Sequence, residues 1–139
     1  MSTRGSAAIE IAILMPMFLA LLIASVVLGR TGTALSAVEM AAYDGARTAS
    51  LARDAGSAET LAATAVQASL DNQGYSCVGG PTVDVDTSGF ARPVGTPASV
   101  AVTVTCQVSY TDIDLLGLTT DRELSADFVS PLDQYRTRG

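Results

Sequence analysis

The chain has 139 residues, with 8 basic against 14 acidic side chains, no histidine and no tryptophan, and a formal charge of −6. That length holds one small domain at most, and the acidity argues against a nucleic-acid partner, which needs a basic footprint over the phosphates. Without histidine there is no imidazole base, and the commonest metal ligand is missing.

Residues 11–29 carry no charge and are dominated by Ala, Leu, Ile, Val, Met and Phe. At ~1.5 Å per residue this stretch spans about 28 Å, close to the depth of a bilayer's hydrocarbon core. We expect a transmembrane helix over residues 6–30. A cleavable secretory signal is the competing reading, because the run is N-terminal, follows Arg4 and offers a small-residue site at Val27-Leu28-Gly29. Against it, the basic leader is short and Glu10 stands where a signal's apolar region should begin. Arg4 and Arg30 nearly balance as basic flanks, so the positive-inside rule leaves the orientation open. The two cysteines, Cys77 and Cys106, both follow the apolar run. In a small exported domain such a pair suits a disulfide better than a metal or catalytic site. The expected topology is single-pass, with the N-terminus cytoplasmic and residues 31–139 extracytoplasmic. Setting aside Arg4, Glu10 and Arg30 leaves six arginines against 13 acids in that outer part, a net of −7.

The helical pattern continues past Arg30. Ala37, Ala41, Gly45 and Ala49 form one row at four-residue spacing, with Ala34, Val38, Ala42 and Ala46 beside it and Glu39, Asp44, Arg47 and Arg53 on other faces. No proline follows Pro16 until Pro81, so one helix from about Ser6 to Arg53, roughly 70 Å long, is the simplest reading. Rows of small residues admit a second backbone at close range, although alanine is also simply the best helix former; both explanations stand at this point. Gly56 and Ser57 read as a turn and an N-cap with Glu59 in the first turn. A short second helix follows, with Leu61, Ala62, Ala65, Val66, Ser69 and Leu70 on its apolar face, ending at Asn72-Gln73-Gly74.

The remainder alternates with period two. Val83 and Val85 share a face, and Val100, Val102, Val104, Cys106, Val108 and Tyr110 share another over the strongest strand signal in the chain. Leu124, Ala126 and Phe128 alternate with Glu123, Ser125 and Asp127 for a third strand. Turn residues 87–97 and the 112–118 stretch connect them. The expected class is therefore α+β: a long N-terminal transmembrane helix continuing outside the membrane, a second short helix and a three-stranded antiparallel β-meander. Cys106 falls on the apolar face of the central strand and Cys77 just before the first. A bond between them closes a ~30-residue loop and stabilises the domain by about 3–4 kcal/mol in the chain-entropy picture; two free buried thiols are the alternative.

Glu10 sets the functional question, since a carboxylate at depth in a bilayer costs roughly 2.5–3.5 kcal/mol. Its position is specific: cutting after Gly5 makes Glu10 the fifth residue of the mature chain. With RGSAAIEIAILMPMFLALL the sequence resembles the type IV pilin superfamily, and within it is most similar to the TadE-like proteins, minor pilins or pseudopilins of the tight-adherence (Flp) pilus. The motif covers about 25 residues; the rest agrees in outline. The chain departs from major Flp pilins in having Ile11 where they have tyrosine after the glutamate, and in carrying an outer domain. Both differences point to a minor component.

The resemblance implies a leader over residues 1–5, removed by a prepilin peptidase between Gly5 and Ser6. It also implies that Glu10 meets the N-terminal amine of a neighbouring subunit and fixes axial register. Opposite charges at ~4 Å gain about 4 kcal/mol at an effective dielectric of 20, before desolvation is subtracted. Pro16 lacks an N–H and crowds the carbonyl of Ala12, which membrane helices tolerate; it reads as a hinge or as a harmless kink. The implied partners are the membrane, the peptidase, other pilin or pseudopilin subunits and the Tad assembly platform. Catalysis and calcium binding have only Asp84/Asp86, Asp112/Asp114 and Asp121/Glu123 to draw on, pairs that solvated strand edges commonly carry. We expect neither an enzyme nor a cofactor. The alternative function is a signal-anchored envelope or surface protein with no pilus role.

Overall fold

The computed structural model describes residues 4–109, 121–135 and 137. Two helices, α1 (Arg4–Ser50) and α2 (Ala55–Asn72), precede three strands, β1 (Thr82–Asp86), β2 (Ser99–Ser109) and β3 (Asp121–Pro131). The strands form one antiparallel sheet in the order β1-β2-β3. This is the α+β class expected. Tyr110, the 112–118 connection and its Asp112 and Asp114 lie outside the described residues. The chain divides into two units, one reaching to Thr33 and one starting at Ala34.

In the second unit, α1 and α2 cover one face of the sheet. Ala34, Ala37, Val38, Ala41, Ala42, Ala46 and Ala49 are all essentially inaccessible, so the small-residue rows serve packing and not propensity alone. The sequence is small there because the elements approach closely. A Cβ on Gly45 would stand 2.8 Å from Val66 Cγ2 of α2 and 3.3 Å from Val102 Cγ1 of β2. Val100, Val102, Val104 and Cys106 of β2 are fully buried against the helices. Across the ladder Val102 faces Val85 and Phe128, and Val104 faces Val83 and Ala126. The central strand thus carries the core, as its alternation predicts.

Several local readings are corrected. Helix α1 closes at Ser50, with Leu51 and Ala52 donating to the Thr48 and Ala49 carbonyls three residues back. The N-cap of α2 is Asp54, not Ser57: its carboxylate accepts from the Ser57 N–H at 2.8 Å and from the Ser57 hydroxyl at 2.7 Å. Ser57 is thereby the third helical residue and Glu59 lies beyond the first turn. Leu61 is exposed, while Ala58 takes a place on the buried face. Asp44, expected on a face other than that of the small-residue rows, is half-buried and accepts from the Ser69 hydroxyl at 2.7 Å. The Gln73 amide extends that bridge between helices by donating to Ala37 and Ser69 carbonyls. Helix α2 ends as the sequence suggests. Gly74, at φ 74°, lets Tyr75 donate to Leu70 and Gly74 to Asp71, closing the last turn.

Between β1 and β2 the turn-rich stretch contains a short 3₁₀ helix, Ser88–Ala91, that the sequence reading did not anticipate. It buries Phe90, and Gly89 packs so tightly that a Cβ there would overlap the Ser99 carbonyl. Asp86 starts this turn by accepting from the Ser88 N–H at 2.9 Å.

Two predictions follow from these contacts. Gly45→Ala is expected to destabilise the folded unit by roughly 1–3 kcal/mol, because overpacking against Val66 outweighs the helix-propensity gain. Gly56→Ala, which meets nothing closer than 3.6 Å, should be neutral or slightly stabilising in the same thermal melts. The second concerns pH. Hydrogen bonds from Ser57 to Asp54, and from Ser88 to Asp86, hold both carboxyls below the ordinary value of 3.8. A depressed folded value means their stabilisation is complete above the unfolded pKa and is lost as pH falls through the folded one. Asp54→Asn with Asp86→Asn should therefore flatten the loss of melting temperature between about pH 5 and pH 2; an unchanged acid limb would contradict this.

Candidate functional site

In the first unit the candidate residues stand on a single helix. The backbone is already helical at Gly5 and Ser6, and Glu10 follows Ser6 by four residues, about one turn. Glu10 is exposed, as is Pro16, through which the helix continues. Around them Ile9, Ile11, Ile13, Leu14, Met15 and Phe18 are all more than half exposed. No residue from 9 to 33 is buried. Its most apolar stretch has a mean hydropathy of 2.8, which makes the helix long and apolar enough to cross a membrane. A core helix of a soluble domain would hide such side chains.

Two hydroxyls along this helix are satisfied within it. Ser25 donates to the Leu21 carbonyl at 2.8 Å and Thr31 to the Val27 carbonyl at 3.0 Å. Such back-bonding removes the cost of placing a hydroxyl in hydrocarbon. Pro16 has no N–H to offer, so the carbonyl of Ala12 loses its usual helical partner. Glu10 is the one ionisable side chain among described residues 9–29.

In the second unit Cys77 and Cys106 form a disulfide, with Cα atoms 5.2 Å apart. The bond is positioned by the Val78 N–H, which donates to the Gln107 carbonyl at 2.8 Å and lays the α2–β1 connection alongside β2. Cys106 is fully buried and faces Leu124 of β3. The acid pairs are not gathered into a site. Asp84 and Asp86 of β1 and Asp121 and Glu123 of β3 are exposed. Among the described residues no three His, Cys, Asp or Glu side chains converge as metal ligands would.

A feature the sequence reading missed lies between α1 and β3. Tyr43 and Phe128 meet edge to face at 4.8 Å, at an interplanar angle of 79°, beside an open groove of about 700 Å³ lined by Ser36, Glu39, Met40 and residues 125–128. The signal was present but weak: Phe128 continues the apolar face of β3, and Tyr43 is a lone ring in the alanine-rich stretch 34–50 of α1.

Residues 5–47 match the family of TadE-like proteins. No curated protein and no solved structure matches the chain. The TadE-like match covers the stretch on which the resemblance rested. Within the matched region fall Gly5, Ser6, Glu10, Pro16 and the small-residue rows as far as Ala46. Helix α2, the sheet and both cysteines lie outside it. The TadE-like segment thus contains the bare apolar helix together with most of the α1 face that packs the core of the second unit.

Reduction of the disulfide tests how far that core depends on the link. In denaturant titrations of the folded protein, reduction or paired Cys77→Ala and Cys106→Ala replacement should cost about 3–4 kcal/mol. Unchanged midpoints with and without reductant would contradict this.

Proposed function

We propose that this chain is a membrane-anchored minor pilin or pseudopilin that takes part in assembling a tight-adherence pilus. In this reading a prepilin peptidase removes residues 1–5 at the cytoplasmic face, residues 6–30 span the membrane, and residues 31–139 lie outside. The observation that carries it is the TadE-like match over residues 5–47 on a helix whose apolar side chains are bare. The disulfide supports the orientation, because such bonds persist in oxidising compartments and are rare in the cytosol.

Cleavage would leave a cationic amine on Ser6, and Glu10 is the carboxylate available near it on the apolar helix. An exposed charge on a membrane helix favours any partner that neutralises it. A neighbouring subunit's amine supplies such a partner, and the pairing sets one axial offset between helices. The fibre subunits and the Tad assembly platform are the partners this role requires. An envelope protein that is merely anchored would share the helix and the disulfide but would have no use for Glu10.

Glu10→Gln separates these two functions. Membrane insertion should persist or improve, since a costly charge is removed, and the outer domain should keep its melting temperature. Recovery of the variant in sheared pili or in the assembly complex should fall by about tenfold or more, the scale set by losing one partly desolvated ion pair. Wild-type incorporation of a variant that inserts normally would show that Glu10 only marks the membrane edge.

A further inference from the structure

The groove between α1 and β3 is apolar at its floor and acidic at its rim. Met40 is 52% exposed, Phe128 38% and Tyr43 37%, while Glu39 and Asp127 both line the opening and are exposed. Arg47, outside the lining, donates to the Tyr43 hydroxyl at 3.4 Å. β3 is an edge strand: among the described residues it pairs with β2 alone, over its whole length from Asp121 to Pro131. An edge strand beside an exposed aromatic cluster presents both backbone hydrogen-bonding groups and an apolar seat to an added segment.

The chain itself contains a segment of matching chemistry. After β3, Leu132 is held by its N–H on the Ala98 carbonyl, and the Gln134 carbonyl accepts from Gly95. Immediately beyond stands Tyr135, 92% exposed, followed by Arg136 and Arg138. These two are among only six arginines after residue 30, in a stretch of net charge −7. Tyr and Arg are also the residue types that dominate interface energetics. A face-to-face contact of two β3 edges fits less well, since Asp121, Glu123 and Asp127 lie along each and like charges opposite one another destabilise strand pairs.

We propose that this groove receives residues 135–138 of a second copy of the chain. The Tyr135 ring sits on Met40, Tyr43 and Phe128, Arg136 and Arg138 meet Glu39 and Asp127, and the segment lies along the open edge of β3. This goes beyond the pilus reading and depends neither on cleavage at Gly5 nor on Glu10.

The test uses the full-length protein in detergent micelles, with a benzophenone amino acid in place of Tyr135 and equal amounts of isotopically light and heavy chains. Photolysis and mass spectrometry should join position 135 of one copy to Met40, Tyr43 or Phe128 of the other. Glu39→Arg with Asp127→Arg in the receiving copy should lower the yield by about tenfold, as attraction at two rim pairs becomes repulsion. Arg136→Glu with Arg138→Glu in the donating copy should restore it. Cross-links confined to one copy, cross-links to another surface, no cross-link, or a yield indifferent to charge reversal would each overturn the proposal.

Discussion

The approach of α1 to α2 and β2 at Gly45 sets the spacing of the folded unit. Val66 and Val102 both occupy space that a side chain on that residue would need. The neighbouring small positions, Ala34, Ala37, Ala41, Ala42, Ala46 and Ala49, are buried along the same helix, as a close approach requires. The core gains little area from each alanine, so it relies on close packing and on β2, whose valines fill the remaining volume. The same closeness brings Asp44, Ser69 and Gln73 together across the two helices. A half-buried carboxylate there is tolerable because it keeps a hydrogen-bond partner.

One helix meets two different demands. Over residues 9–28 most of its side chains are large, apolar and bare; from Ala34 onward they are small and buried on one face. The first pattern makes sense in lipid, where bulk and apolarity are favourable on every side. The second makes sense against a protein surface, where bulk would hold neighbours apart. The TadE-like match spans both patterns. The disulfide secures the end of the sheet where Cys77 meets Cys106, beyond the matched stretch.

Much of this was legible from periodicity. The valine alternation of β2 fixed its inward face, and the placement of Cys106 on that face, with Cys77 just before β1, made the disulfide readable. The alanine rows announced a helix but not its partner, since alanine serves propensity and packing equally well. Position-level chemistry was harder. Asp54 and Ser57 are both good N-caps three residues apart, and only geometry shows that the carboxylate receives the Ser57 N–H. The 3₁₀ helix was hidden because its four residues carry no period, and Gly89 matters only through its contact with Ser99, ten residues away. The Tyr43–Phe128 groove required knowing that β3 lies at the edge beside α1. Gly5, Ser6 and Glu10 could be read only as a spacing, since they stand on a stretch of helix with no burial pattern to mark a partner.

The central functional claim is that the apolar helix is the anchor of a processed, exported subunit. The intact mass of the chain recovered from the membranes of producing cells, measured before and after reduction, tests this most directly. A mature chain starting at Ser6, heavier by two hydrogens after reduction of the Cys77–Cys106 bond, is the expected result. A chain that retains residues 1–5, or one that starts at Arg30 or later, would contradict it.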